Sequence, residues 1–188
     1  MRRGMNTSAF IALALTRPGL VGAVAPSSRR LARAMASQIG DAGALIELGA
    51  GTGAVTSALR HAAPGTPLLA VELQSDLASG LRRRFPDIEV ACAPAHEVLA
   101  RHAHAPVDTM LVSSLPFRSL PEPMRRTTLA ALLQFIEAHP TRRMVQYTYQ
   151  PRAPFELPAR SSLRWSLRDV VWGNLPPAGV WVLGGDGA

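Results

Sequence analysis

Three glycines at alternate positions, Gly49, Gly51 and Gly53, follow the apolar run Ala44–Leu48 and precede a helix-like segment, Val55–Ala62. Glycines so spaced let a chain turn tightly after a strand and let backbone approach a ligand with no Cβ in the way. A helix opening directly afterwards offers unpaired N–H groups to an anion. Two acids flank this loop. Glu47 stands two residues before Gly49, and Glu72 ends the next apolar run, nineteen residues beyond Gly53, with Leu73 beside it. A carboxylate at that distance accepts hydrogen bonds from both hydroxyls of a ribose, which points to a bound nucleoside.

Gly49-x-Gly51-x-x-Ala54 also satisfies the dinucleotide-binding pattern. Context argues against that ligand. About forty residues precede the first strand, and about 135 follow the loop, little room for a catalytic domain beside a dinucleotide fold.

A second group of chemistry-bearing residues lies further along. Ser113-Ser114-Leu115-Pro116-Phe117 follows another apolar run. Its carbonyls and hydroxyls suit the N–H groups of an amine, Pro116 stiffens the turn, and Phe117 offers a cation–π wall. The competing reading is a capped turn with Phe117 in the core. Tyr147 and Tyr149 alternate, so they share one face of a strand. They read either as a phosphate-orienting, cation-tolerant wall or as core packing with the hydroxyls reaching the surface. Arg118, Arg125, Arg126 and Arg152 lie near these segments and could pair with a phosphodiester, though single arginines are more often solvated. The five His residues show no ligand spacing and Cys92 is the only cysteine, so no metal site and no internal disulfide are expected.

The elements that position these residues follow from periodicity. Short apolar runs at Ala44–Leu48, Leu68–Leu73, Ile88–Cys92, Val107–Ser113 and Met144–Tyr149 alternate with helical segments. The helices are expected at Ser27–Ile39, Val55–Ala62, Ser75–Phe85, Ala95–His102 and Pro123–Ala138. Such alternation predicts an α/β fold, a mostly parallel sheet with helices on both faces. Leu163–Trp172 and Gly179–Leu183 have no helix between them and predict a C-terminal antiparallel hairpin, for seven strands in all. A chain of 188 residues, 47% hydrophobic and 18% charged, suits one such domain and excludes a largely disordered chain.

The charge is unevenly placed. All twenty basic residues are Arg, and the net charge is +7. Residues 1–40 hold six of the arginines and no acid. Such an arm suits an anionic partner, either a membrane surface or nucleic acid, against the alternative of a solvated face with GC-rich codon bias. The apolar stretch Ala9–Leu15 imitates a signal peptide, but Arg17 and Pro18 interrupt it and it is far too short to span a bilayer. We read residues 1–26 as a retained, membrane-contacting arm and residues 27–188 as the domain.

From about Ser27 onward the chain resembles the class I S-adenosylmethionine-dependent methyltransferases, and within them the bacterial phospholipid N-methyltransferases, relatives of the ribosomal RNA adenine dimethyltransferases. The narrower resemblance rests on Val21–Arg29, Ser113–Phe117, Gln146–Tyr149 and Asn174-Leu175-Pro176-Pro177-Ala178-Gly179-Val180-Trp181. It implies a Rossmann-like domain that binds S-adenosylmethionine through Glu47, Gly49, Gly51, Gly53, Glu72, Leu73 and Ser113. It implies methyl transfer to the amine of phosphatidylethanolamine, with Ser113, Ser114 and Tyr147 serving the reaction and Phe117, Tyr147, Tyr149 and Arg152 holding the lipid. The expected setting is the cytoplasmic face of a membrane, with nucleic acid a less favoured partner.

Two departures stand out. The RNA branch resembles Asn-Leu-Pro-Tyr or Asn-Leu-Pro-Phe where this chain has Ser114-Leu115-Pro116-Phe117, and it usually carries a further helical domain. Many class I enzymes also place an adenine-contacting acid after the third strand, where this chain has Pro94; Glu97 is the nearest replacement. The first departure favours a lipid amine over a base. The second keeps a non-catalytic lipid- or RNA-binding module open as an alternative.

Overall fold

The computed structural model describes residues 27–174 and 176–185. The basic arm, Leu175 of the Asn174–Pro177 segment and the last three residues lie outside that range. In chain order the elements are α1 (Ser27–Ala36), β1 (Ala44–Leu48), α2 (Ala54–Ala62), β2 (Leu68–Val71), α3 (Ser75–Arg84), β3 (Glu89–Ala91), α4 (Ala95–Arg101), β4 (Thr109–Ser113), α5 (Glu122–Glu137), β5 (Arg143–Thr148), β6 (Arg164–Val171) and β7 (Ala178–Gly184). They form one seven-stranded sheet in the order β3-β2-β1-β4-β5-β7-β6. The first five strands are parallel, and β7 runs antiparallel to both β5 and β6. The C-terminal hairpin thus inserts its second strand beside β5 and leaves β6 on the rim.

Strand order reverses between β1, whose other neighbour is β2, and β4, which leads on to β5. The connection from β1 to β2 through α2 and the one from β3 to β4 through α4 lie on opposite faces, and a crevice opens beyond the C-terminal ends of β1 and β4, where Leu48 pairs with Ser113.

Two apolar layers hold the helices. On one face Ile46, Leu48, Leu69, Val71, Leu111 and Met144 meet Val98 and Leu99 of α4 and Leu132, Phe135 and Ile136 of α5. On the other, Leu45, Leu68, Met110, Val112 and Val145 meet Leu31 and Met35 of α1 and Leu59 of α2. Strands covered on both sides read as unbroken apolar runs, as these do.

Helix α1 stops three residues before the expected Ile39. Its last turn tightens through Gln38 N–H to Met35 O and Ile39 N–H to Ala36 O, and Gly40 follows at φ 54°. Ile39 is still buried, so its apolar spacing reflected packing and not helical backbone. Below the sheet, the buried Arg142 guanidinium donates to Phe135 O at 3.0 Å and Ala105 O at 2.5 Å and lies 4.1 Å from the Phe135 ring. It ties the end of α5 to the loop before β4. On the rim, the β6–β7 register slips between Leu167 and Asp169, with Arg168 as the inserted residue.

Candidate active site

The glycine loop is built by its own backbone. Gly49 and Ala50 both donate to Val71 O, at 2.9 and 3.1 Å, which pins the loop to the end of β2. Gly49, Gly51 and Gly53 all adopt positive φ, the region where a Cβ costs most. Gly53 is crowded as well: a Cβ there would stand 2.6 Å from Phe85 Cε2. Gly51 is the opposite case, because a Cβ there would meet nothing within 4 Å. The loop therefore leaves an open cradle at Gly51 and closes around Gly53 to start α2.

Glu72 completes the cradle. It is 2% exposed, and its two oxygens accept from Gly51 N–H at 2.8 Å and Gln74 N–H at 2.9 Å. Each oxygen keeps a further lone pair, so the carboxylate is held in one orientation with acceptor capacity left for a ligand. A cleft runs from this point across the switch between β1 and β4. Gly49, Glu72 and Leu73 form one wall, Pro94 and His96 another, and Ser114, Leu115, Met124 and Thr128 close it.

Glu47 sits beneath the loop and is not on the cleft wall. It is fully buried, with Oε2 accepting from Thr56 Oγ1 at 2.6 Å and Oε1 unpartnered. Burial raises its carboxyl to about 7, against the lowering effect of the Thr56 hydrogen bonds. Its direct structural action is to fix the first turn of α2.

Several expected site residues lie elsewhere. Ser113 is buried, and its Oγ accepts from Leu115 N–H at 3.3 Å; it shapes the turn while Ser114 takes the cleft wall. Phe117 is not a cleft wall. It is buried in an edge-to-face stack with Phe155, which stacks in turn on Trp165, both at 5.0 Å between centroids. The core reading of that residue wins because Phe155 and Trp165 form an edge-to-face aromatic stack around it. Tyr147 and Tyr149 pack edge-to-face on each other at 5.5 Å, against the α1-facing layer, on the opposite side of the sheet from the α5-facing layer. They do not line the cleft. Burial raises both phenols, so they stay protonated and cannot take a proton from an amine at neutral pH. Arg152 is exposed and Arg125 pairs with Glu122. Glu97 is exposed on α4, so it does not replace the missing acid.

His96, Met124 and Thr128 were not expected at the site. Nothing in their local spacing marks them; the packing of α5 against α4 brings them in. Gln146 was noted only within a motif. It is buried at the Ser113 register, and its amide donates to Leu115 O at 3.2 Å, fixing the turn from below. Among the described residues no His, Cys, Asp and Glu cluster could hold a metal ion, and no helix is long and apolar enough to cross a membrane.

No protein-family model and no curated protein matches the chain. Solved structures do. The O-methyltransferase TomG from Streptomyces achromogenes, determined with S-adenosylmethionine, superposes with a TM-score of 0.58 at 16% identity, over 99% of this chain and 92% of that one. A TehB-like methyltransferase from Corynebacterium glutamicum gives 0.54 at 18% identity, over 96% and 98%. An rRNA methylase from Streptococcus thermophilus gives 0.55 at 15% identity, over 82% and 94%. The strand order, the antiparallel β7 and these likenesses together give the chain the class I methyltransferase fold.

Proposed function

We propose that this chain is an S-adenosylmethionine-dependent N-methyltransferase acting on the amine of a phospholipid head group, phosphatidylethanolamine first among them. The open cradle at Gly51 beside the oriented Glu72 carboxylate carries the cofactor part of the reading. Glu72 suits ribose hydroxyls and the glycine loop suits the amino-acid end. S-adenosylmethionine, when bound, supplies an electrophilic methyl group. The chain's own task is then to hold an amine with its lone pair free, and the Ser113–Leu115 turn, braced by Gln146, presents Ser114 for that purpose. No phenol acts as base here, so the amine loses its proton to solvent, and activity rises as pH approaches the amine's own pKa.

The acceptor turn favours a lipid amine over a nucleobase in this reading. Phe117, the aromatic residue of that turn, is stacked in the core on Phe155 and offers an acceptor base no platform. The basic arm, with Arg2, Arg3 and Arg17 and no acid, suits an anionic membrane surface on the cytoplasmic side.

The test is direct. The protein is incubated with methyl-labelled S-adenosylmethionine and either phosphatidylethanolamine vesicles containing anionic lipid or purified ribosomal RNA. Label in the lipid supports the reading; label in adenine alone overturns the acceptor and keeps the cofactor. A chain that binds the cofactor but labels neither is a binding module.

A further inference from the structure

Resting on the lipid reading for its partner, we infer that the turn between β6 and β7, led by Trp172, docks on an anionic bilayer and sets the cleft against it. Trp172 is 77% exposed, more than any other large apolar residue among the described residues. Exposed Gly173, Pro176 and Pro177 continue the turn, and residues 170–185 contain no charged side chain. One exposed apolar residue is ordinary on a protein surface, but this one has cations beside it. A Cβ at Gly173 would stand 2.6 Å from Arg30 Nη1, so that guanidinium lies against the turn. Arg29, Arg30 and Arg33 are exposed on α1 while Leu31 and Met35 pack toward the sheet, and residues 27–40 contain no acid. The nearest acid on β6, Asp169, accepts from Val170 N–H at 2.7 Å.

An exposed indole beside arginines matches the boundary of an anionic bilayer, where Trp sits at head-group depth and each Arg gains from the surface potential. A groove for single-stranded nucleic acid stacks successive bases on several aromatic side chains, and this turn presents one. The sheet fixes what the contact does. Thr148 pairs with Gly179 and Gly179 with Val170, so the end of β6 is level with the end of β5. Gln146, two residues back on β5, pairs with Ser113 at the end of β4. Trp172 therefore stands on the edge of the sheet where the cleft lies, three strand spacings or roughly 14 Å from β4. The basic arm joins α1 at Ser27, three residues before Arg30. A bilayer held by this turn lies along the edge that carries the cleft, and a head-group amine reaches Ser114 without its lipid leaving the membrane.

Sedimentation of the full chain with vesicles of phosphatidylglycerol and phosphatidylethanolamine tests this. Trp172→Ser should bind about tenfold more weakly than wild type, the scale of one large apolar side chain left in water, with an unchanged melting temperature. Arg30→Gln should bind about fivefold more weakly at low salt, and the deficit should shrink at high salt. Vesicles with brominated acyl chains then locate the contact. They should quench the fluorescence of wild type and leave that of Trp172→Phe unquenched; residues 1–26 contain no Trp, so the arm cannot give this signal. If Trp172→Ser melts earlier, the quenching comparison decides. Equal vesicle affinity in wild type and Trp172→Ser overturns the inference, as does quenching as strong in Trp172→Phe. A Trp172→Ser defect on ribosomal RNA and not on vesicles overturns it too. Methyl transfer to phosphatidylethanolamine in detergent micelles separates this surface from the acceptor reading. Label in micelles without vesicle binding overturns the surface alone, and the expected vesicle results without label overturn the acceptor alone.

Discussion

Gly51 donates its backbone N–H to Glu72 Oε2 at 2.8 Å, so the end of β2 fixes the loop that follows β1. The two halves of the cradle are one unit, and a change in either is felt in both. Glu72→Ala removes the carboxylate proposed for the ribose and releases the loop. We expect it to weaken S-adenosylhomocysteine binding by at least tenfold, from the loss of charge-assisted hydrogen bonds worth about 1.5–3 kcal/mol each. Calorimetry on the purified variant checks this, and unchanged affinity would remove Glu72 from the site.

Gly51→Ala and Gly53→Ala should separate ligand binding from stability. Both positions have positive φ, which costs an L-residue roughly 1–2 kcal/mol. At Gly51 that is the whole stability effect, and the added methyl group enters the cradle and weakens ligand binding. At Gly53 the methyl group also collides with Phe85 and Leu81, so thermal unfolding should show the larger loss. Equal melting temperatures for the two variants would contradict the crowding at Gly53.

Glu47 should make stability fall with rising pH. Its carboxyl is raised from 4.5 to about 7 by burial, so the folded chain holds a proton that the unfolded chain releases between those values. Stability from this group is full below pH 4.5 and is lost as pH climbs through 7. The loss is roughly 3 kcal/mol, from about 1.4 kcal/mol per pKa unit. Glu47→Gln keeps the shape without the charge. Its advantage over wild type in urea unfolding should therefore be larger at pH 8.5 than at pH 5, and a pH-independent difference would exclude this titration.

Phe117→Ala should read as a core mutation. The stack with Phe155 and Trp165 leads us to expect a loss of about 3–5 kcal/mol in denaturant unfolding. A variant that keeps its stability but loses activity at saturating cofactor would restore Phe117 to the acceptor site.

The sequence made some parts of this molecule plain and others not. Alternating apolar runs and helical spacings are local, so all seven strands and the helices from Ser27 onward were legible, most to within a residue or two. The glycine loop and Glu72 were legible because backbone geometry restricts the residue types allowed there. Tyr147 and Tyr149 were read correctly as sharing a face, but which face depends on sheet order, which periodicity does not carry. Phe117 needed knowledge of Phe155 and Trp165, about forty and fifty residues away. His96 and Thr128 line one cleft only through the packing of α5 against α4, and no short-range pattern announces that.

The Arg168 insertion in β6 bears on how the molecule behaves in a crowd. A sheet's rims are templates for strands from other molecules, and a straight, regular rim is the more dangerous. One rim here is β3, only three residues long. The other is β6, which the inserted residue bends out of register partway along, with exposed Arg164 and Asp169 on either side. Neither rim gives a neighbouring copy an even ladder to extend. Deleting Arg168 would even the register of the longer one, so we expect the deletion variant to associate through its sheet more readily than wild type.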